Sequence, residues 1–286
     1  MALTGGILLG ILAMAGWGLA DFVTAISLKR ATILTTMFWA QLVSIALLIL
    51  VGVFNQNLIA AGAKVWLWLL PLGLLSFLAY RAYYTGIKKS KVSIISPIAS
   101  GWGLVALVLS IVFLKERITA IQGVAAGFLI LGVLLVAFDY NDLVRARISR
   151  KKLAIGIEYG LFSMFAWGVF LTVYSVAVSK SNWYIPALLA NIFLAFFTLA
   201  FGHKEINFRL AEIPRIVFLI GVFDSIGFLA FSGGLLLELT AVVAPIGATF
   251  PAVTVVLAFV FLRERLLKSQ AVGVAAIIAA LVILSL

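Results

Sequence analysis

The stretch Pro97–Arg117, PIASGWGLVALVLSIVFLKER, returns 148 positions later as PIGATFPAVTVVLAFVFLRER at Pro245–Arg265. Both stretches begin with Pro-Ile, continue as an apolar run, and end in Phe-Leu, a basic residue, Glu and Arg. Gln122 and Gln270 follow at the same spacing. A five-residue ending in register with a proline and a glutamine does not arise readily by chance in apolar sequence. The chain therefore contains an internal repeat.

The repeat extends through the rest of the chain. Near the start of each copy the spacing is 150 positions, and farther on it is 148. We predict a first copy at residues 1–139 and a second at 153–286, joined by a basic connection at 140–152. The matched pairs are Gly10 and Gly160, Met14 and Met164, Trp17 and Trp167, Gly18 and Gly168, Gly73 and Gly221, Ala82 and Ala230, and Gly86 and Gly234.

The composition is that of a membrane protein. Of the 286 residues, 65% are apolar and 11% are charged, and the mean hydropathy is +1.24. A soluble domain is about 45–50% apolar and about 25% charged, because its surface must be solvated. A spanning helix needs roughly 20 apolar residues, so we predict an all-α integral membrane protein with ten transmembrane helices. The ten apolar runs are residues 4–27, 33–54, 65–87, 92–114, 118–138, 153–178, 183–202, 213–237, 240–262 and 267–286.

An odd number of helices in each copy has a geometric consequence. The sixth helix enters the bilayer from the face opposite to the first, so the two five-helix repeats are inverted relative to each other. Many secondary transporters are built from inverted repeats, and their substrate site lies at the repeat interface near the middle of the bilayer. The sequence therefore predicts two copies of one scaffold, related by a pseudo-two-fold axis that lies in the membrane plane.

These features resemble the drug/metabolite transporter superfamily, and most closely its EamA-type ten-helix carriers. The resemblance covers essentially the whole chain. It rests on the Trp-Gly pair in the first helix of each copy and on the two Pro-to-Glu-Arg segments quoted above. It implies a secondary carrier, a monomer or a homodimer, often an exporter of amino acids or other small metabolites. It names no substrate, since the superfamily also moves sugar phosphates, nucleotide sugars and lipid-linked sugars.

Composition and motifs also argue against other function classes. The net charge of +11 comes from Lys and Arg in the connections, where it reports orientation and headgroup contact, so we predict no nucleic-acid partner. With no cysteine, one histidine and no paired Asp motif, we predict no catalytic site, metal site or cofactor. A G-x-x-x-x-G-K-[ST] loop, which would bind ATP phosphates, is absent from the sequence. We expect the first apolar run to be retained as a helix, since it has a repeat partner inside the chain.

Three ionisable residues inside apolar runs are predicted to form a gate. A charge within the bilayer is costly and marks a candidate site. Helix rise places Asp21, Arg81 and Glu158 at one level, roughly 8–9 Å below the face opposite to the termini. We predict that Arg81 pairs with Asp21, Glu158 or both. The alternative is that Arg81 and Glu158 extend to the headgroups, which their depth permits.

Asp224 lies deeper, roughly 16 Å from the surface and near the midplane. It is too deep to reach the headgroups, so we predict that it binds a substrate amine or exchanges a proton. The alternative is a carboxyl that only ties helices together through hydrogen bonds.

Aromatic and interrupted positions complete the predicted substrate site. Tyr80 and Tyr84 share one face of their helix, and each offers an apolar ring with one hydroxyl. Trp102 lies between two glycines, five residues after Pro97, and Thr249 lies in the matching region of the second copy. Helices interrupted at matching places point to the binding site of such carriers. The alternative for Tyr84, and for Tyr83 on the edge of the same face, is an aromatic belt at the membrane surface.

Two other repeated features are interpreted as structural. Trp17 and Trp167 lie beside glycines well inside their helices, which favours a role in close helix packing over ligand stacking. Glu116 and Glu264 precede an arginine at helix ends, which favours an ion pair at the membrane surface.

We therefore predict a secondary transporter of a small metabolite, such as an amino acid or amine, that works by alternating access at the repeat interface. Its partners are a small-molecule substrate and the lipid bilayer of the plasma or inner membrane, and coupling to a proton or another ion is left open. The alternatives are a flippase for a lipid or lipid-linked sugar, and a membrane-embedded enzyme.

Membrane orientation is predicted in two conflicting ways. Connections on the face opposite to the termini carry sixteen Lys and Arg residues, and those on the face of the termini carry four. The positive-inside rule therefore places the termini outside. The family resemblance implies termini inside. We favour termini outside because the charge bias is large.

Overall fold

The structure is a computed structural model that describes residues 4–54, 66–89, 95, 98–137, 150–262 and 268–284. Within these ranges the chain is helical and contains no strand. The helices are α1 (Gly5–Ser27), α2 (Ile33–Phe54), α3 (Trp66–Lys89), α4 (Trp102–Phe113), α5 (Ala120–Ala137), α6 (Arg150–Lys180), α7 (Ile185–Gly202), α8 (Ile216–Leu237), α9 (Thr240–Gly247), α10 (Phe250–Leu262) and α11 (Lys268–Leu284), with a short 3₁₀ helix at Leu210–Glu212.

The predicted all-α membrane fold is confirmed, while the number of spans stays a prediction. Five described helices are long and apolar enough to cross a bilayer, namely α1, α2, Ala154–Lys180 within α6, α7 and α8. Of the other helices, α3 has 24 residues, and the apolar helices of the two quoted stretches and the fifth helices of each copy are shorter in the described residues. One reason is that the helices of the two quoted stretches are interrupted, by a turn at Gly101 in the first copy and at Ala248 and Thr249 in the second. These turns fall at matching repeat positions, as predicted, and Pro97 itself lies outside the described residues.

The two copies make equivalent contacts. A Cβ atom placed on Gly18 of α1 would lie 2.5 Å from the Cβ of Val253 in α10, and one on Gly168 of α6 would lie 2.5 Å from the Cβ of Val105 in α4. No real side chains approach so closely, so glycine is required at both positions. Gly168 is the repeat counterpart of Gly18, and Val105 is the counterpart of Val253, so the two contacts are equivalent. Equivalent contacts of this kind indicate a two-fold arrangement. Gly10 against Ile246 and Gly160 against Ile98 form a second such set.

The second helices of the copies also pack symmetrically. Gly52 in α2 lies against the ring of Tyr184, and Gly202 in α7 lies against the side chain of Leu34. Both pairs keep the 150-residue spacing, so the shift to 148 occurs after α2 and α7. The two residues missing from the second copy therefore belong to the connection after Gly202, and the helices themselves keep their register.

The copies interlock and do not form separate domains. The first helix of each copy packs mainly on the other copy: α1 contacts α8, α9 and α10, while α6 contacts α3 and α4. At the α1–α8 crossing, a Cβ on Gly16 would lie 2.8 Å from the backbone nitrogen of Gly227, so two glycines bring these backbones together. The interface between the repeats is thus the core of the molecule, and the copy boundaries at 139 and 153 stay predictions.

Glu116 has a different role from the predicted ion pair. Its carboxylate accepts hydrogen bonds from the backbone N–H groups of Thr240 (3.1 Å) and Ala241 (2.8 Å), at the first turn of α9 in the other copy. The described residues record no ion pair between Glu116 and Arg117. A carboxylate is favoured at a helix N-terminus because the amides there lack partners in the helix and carry partial positive charge. Lys115, with φ at 56°, makes the left-handed turn that precedes Glu116. Glu264 lies outside the described residues.

Candidate substrate site

A cavity of about 800 Å³, including the part open to solvent, lies between the two copies. It is bounded by helices of both repeats, so it occupies the interface at which the sequence predicts a substrate site. Its wall combines two carboxyl groups and one amide with many aromatic rings. The lining residues are Trp17, Ala20, Asp21, Thr24, Met37, Ala40, Gln41, Tyr80, Tyr83, Tyr84, Trp102, Trp167, Phe170, Leu171, Leu194, Ile220, Asp224, Phe228 and Phe250.

The cavity belongs to one half of the molecule. Its lining residues in α1 lie in the second half of that helix, those in α2 lie in the first half, and those in α8 lie in the first half or, for Phe228, just beyond the middle. These segments meet at the face where α1 ends and where α2 and α8 begin. On this face Thr32 donates a hydrogen bond to the carbonyl of Glu205, which joins the connection after α1 to the connection after α7. This is also the face whose connections carry most of the Lys and Arg residues.

Asp224 lies on the cavity wall and is only 5% exposed. Gln41 and Tyr80 are the side chains that approach its carboxyl group. Among the described residues, however, neither Asp224 Oδ2 nor Gln41 Oε1 has a hydrogen-bond partner. A buried acceptor without a donor costs free energy, so native proteins rarely leave one unless a ligand or water meets it. The two free acceptors therefore mark the part of the cavity wall best suited to a donor group.

The second carboxyl of the cavity belongs to Asp21. It accepts a hydrogen bond from the hydroxyl of Tyr83 at 3.1 Å, and the hydroxyl of Thr254 lies 3.5 Å from its other oxygen. Thr254 also donates to the carbonyl of Gly18. Asp21 is therefore held between α3 of the first copy and α10 of the second, facing the same space as Asp224.

The rings of the wall follow the repeat. Trp17 contacts Phe228 with ring centroids 5.6 Å apart. Their repeat counterparts, Trp167 and Tyr80, contact each other with ring centroids 5.1 Å apart. The pair Trp17–Phe231 and the pair Trp167–Tyr83 are likewise equivalent, both at 5.2 Å. The packing is shared, but only the first copy carries hydroxyls at these positions. Those hydroxyls face the two carboxyl groups.

Two residues predicted from the interrupted helices differ in placement. Trp102 is 3% exposed, lines the cavity, and meets Trp17 edge-on with centroids 5.8 Å apart. Thr249 is fully buried and is not among the lining residues. Its hydroxyl donates to the carbonyl of Ile246 and contacts the sulfur of Met14, so it stabilises the turn between α9 and α10.

The sequence matches the model of the EamA-like transporter family twice, over residues 4–138 and 154–286. The chain belongs to the EamA-like transporter family. It is thus a multi-pass membrane protein of a transporter family, as its apolar helices also indicate. Each match spans one of the two predicted copies.

Two similar proteins add to this. Uncharacterized protein MJ1333.1 of Methanocaldococcus jannaschii is 25% identical over 133 residues, which is 46% of this chain and 96% of that protein. That relative therefore has about the length of one copy. A solved crystal structure of another protein matches with a TM-score of 0.76 at 14% identity, over 98% of this chain and 96% of the other. Such a match shows a shared fold.

The remaining predicted gate residues of this EamA-like chain lie outside the cavity. Arg81 is exposed, and its guanidinium lies 5.9 Å from the ring centre of Phe77. Glu158 is also exposed. Among the described residues, the structure records no ion pair between Arg81 and either Asp21 or Glu158. A gate formed by these groups stays a prediction.

Sequence reasoning missed several residues of the wall. Gln41 carries a detectable signal, because an amide within a long apolar helix is costly and needs a partner. Trp17 and Trp167 were assigned to helix packing, yet they both pack and line the cavity. Phe250 carries no signal, since a phenylalanine in a membrane helix usually faces lipid or a neighbouring helix. Among the described residues, no group of three His, Cys, Asp or Glu could hold a metal ion.

Proposed function

We propose that this chain is a secondary transporter of a small metabolite with an amino group, such as an amino acid or amine, and that it works by alternating access at the repeat interface. The observation that carries the proposal is a difference between the two ends of the interface. One end contains the cavity, and the repeat-related residues at the other end are packed together. An inverted repeat in which one end is hollow and the other filled has two equivalent conformations available by exchange.

The filled end consists of the repeat counterparts of cavity residues. Tyr174, the counterpart of Thr24, is fully buried and hydrogen bonds to Ser232, the counterpart of Tyr84. Phe231, the counterpart of Tyr83, is fully buried beside them. The other counterparts are Ser44, Leu72, Ser76, Ala187 and Ala190, matching Leu194, Ile220, Asp224, Met37 and Ala40; both sets are buried, and only the second lines the cavity.

Exchange between the ends would carry a substrate across the bilayer. The two carboxyl groups are positioned to hold an amine, and the surrounding rings contact its apolar part. In the second conformation the rings of Tyr174 and Phe231 would separate while the Tyr80–Tyr84 face closes, so the site would be exposed to the opposite side.

A matched pair of cysteine variants tests this exchange. The chain contains no cysteine, so Ala40→Cys and Ala190→Cys each introduce a single thiol at the same position of the two copies. Both alanines are buried, but only Ala40 lines the cavity, so in the conformation described here a membrane-impermeant maleimide that enters the cavity should label Ala40→Cys faster. In proteoliposomes with a substrate gradient, a fraction of Ala190→Cys should become reactive while Ala40→Cys becomes protected. Ala190→Cys that never reacts while transport continues would contradict alternating access.

A flux assay tests the role of the carboxyl groups. Purified protein in liposomes should exchange a labelled amino acid or amine, and Asp224→Asn should abolish most of that exchange because the amine loses its counter-charge. Glu205→Gln removes a carboxylate from an exposed connection on the same face and serves as the control. Unchanged exchange in Asp224→Asn would assign that residue to helix packing.

A further inference from the structure

We infer that the cavity selects an organic cation that carries no carboxylate: an amine on an aromatic or aliphatic body, in preference to an amino acid. This inference rests on the proposed transport function and narrows its substrate class. It follows from the polar groups that the wall offers, from those it lacks, and from the rings between them.

Among the described lining residues, the buried polar atoms without a partner are two oxygens, which accept, and the indole Nε1 of Trp17, which donates. Asp224 Oδ2 and Gln41 Oε1 are buried, face the cavity, and have no partner among the described residues. Asp21 adds a second carboxyl to the same space. A ligand that satisfies these oxygens must donate hydrogen bonds or carry positive charge, and an ammonium does both.

Among the described lining residues, none carries a positive charge that would balance a ligand carboxylate. None of the described lining residues is Lys, Arg or His. Arg81 follows the lining residue Tyr80 in sequence, but its side chain is exposed and lies against Phe77, outside the lining. The carboxylate of an amino acid would therefore lose its hydration shell beside Asp21 and Asp224 without a counter-charge. Like charges in a low-dielectric site repel strongly, which makes the wall selective against zwitterions and anions.

Three amides at the helix interruptions are engaged in hydrogen bonds. Helix N-termini bind carboxylates in some carriers through backbone N–H groups. Here the N–H of Gly101 donates to the carbonyl of Ile98, and the N–H of Thr249 donates to that of Ile246. The amide of Ala252 donates to the carbonyl of Thr249. These amides are used within the turns themselves.

The rings of the wall suit a cation with an apolar body. Trp17, Trp102 and Trp167 line the space together with Tyr80 and Phe228. The faces of aromatic rings attract ammonium groups, tryptophan most strongly. Aromatic surface also buries the apolar part of the ligand. The two carboxyl groups and the surrounding rings can therefore contact the ammonium group and the apolar body of the same ligand.

A matched ligand series tests the inference. Tryptamine, tryptophan methyl ester, tryptophan and indole-3-propionate share one ring and differ in charge, while phenethylamine and butylamine vary the body. Binding to the purified full chain is measured by thermal shift and calorimetry. We expect the amines and the ester to bind roughly tenfold to a hundredfold more tightly than tryptophan. The propionate should not bind.

Variants locate the effect. Asp224→Asn should weaken tryptamine binding by roughly tenfold or more. It should leave the binding of tryptophol, the neutral isostere of tryptamine, unchanged. Unchanged tryptophol binding would also show that the variant is folded. Glu205→Gln should bind every ligand as the natural protein does.

The outcomes separate the two proposals. Tryptophan that binds and is carried as well as tryptamine would overturn the cation inference and leave transport intact. Failure of every amine in the series to bind would also overturn it. If Ala40→Cys and Ala190→Cys never exchange reactivity, the transport proposal fails, whichever ligand binds.

Discussion

At the scale of single residues, the two copies share packing and differ in chemistry. Trp17 packs on Phe228 and Trp167 packs on Tyr80 with nearly the same geometry. The extra hydroxyls of the first copy reach the carboxyl groups: Tyr83 donates to Asp21, and Tyr80 approaches Asp224. Since the second copy tolerates phenylalanine in the same surroundings, the hydroxyls are not required for packing.

Tyr83→Phe should therefore separate binding from folding. The variant loses the hydrogen bond to Asp21, so we expect amine binding to weaken roughly threefold to tenfold while the free energy of unfolding falls by at most about 1 kcal/mol. Binding is measured by calorimetry and stability by thermal unfolding in detergent. Tyr159→Phe, a tyrosine outside the cavity whose hydroxyl accepts from Lys89, is the control. Equal effects of both substitutions would assign no binding role to the Tyr83 hydroxyl.

At the scale of helices, glycine and one carboxylate determine how the copies meet. Gly18 and Gly168 allow α1 and α6 to lie against the other copy, at crossings related by the repeat. Glu116 then fixes the start of α9, using a carboxylate from the connection between α4 and α5. That contact lies on the face of the termini, at the end of the interface opposite to the cavity.

Gly18→Ala and Gly168→Ala should destabilise the protein by similar amounts. A Cβ at either position overlaps a valine of the facing helix, so each variant should lose about 1–3 kcal/mol of stability. Gly127→Ala is the control, because a Cβ there meets nothing within 4 Å. It should be neutral or stabilising, since alanine favours the helix by about 1 kcal/mol. Thermal unfolding compares the three, and a loss confined to one of the paired glycines would argue against symmetric packing.

Glu116→Gln should loosen the filled end of the interface. The variant keeps the shape of the side chain but loses the negative charge at the start of α9, a cost of about 1 kcal/mol. We expect faster maleimide labelling of Ala190→Cys in the Glu116→Gln background. Lys115→Gly is the control, because glycine adopts the φ of 56° found there more easily than lysine. Unaltered protection of Ala190→Cys would limit Glu116 to local capping.

At the scale of the whole molecule, the cavity lies in the half next to the face that carries most of the basic connections. The positive-inside rule assigns that face to the cytoplasm, so the conformation described here would present its cavity to the cytoplasmic side. The filled end would then face outward, with the termini.

A pair of reporter fusions checks this orientation. Green fluorescent protein at the C-terminus should be dark when exported through the general secretory pathway, and alkaline phosphatase at the same place should be active. Both results should reverse when the reporters are inserted in the basic connection at 140–152. A fluorescent C-terminal fusion would place the termini inside and turn the cavity outward.

The sequence by itself determined the scaffold, and the tertiary structure decided the site. Apolar run length, the repeated FLKER and FLRER endings and the odd number of runs are properties of the chain, so the inverted all-α fold could be predicted from them. Asp224, Tyr80 and Trp102 could be predicted as wall residues because a buried charge or an aromatic residue at an interrupted helix is unusual wherever it packs. Phe250 could not be predicted as a wall residue, nor could the exposure of Arg81, because the direction in which a helix residue points is defined only by the neighbouring helices. The position of the cavity at one end was also undetermined, because two inverted copies encode both ends equally and only the packed conformation distinguishes them.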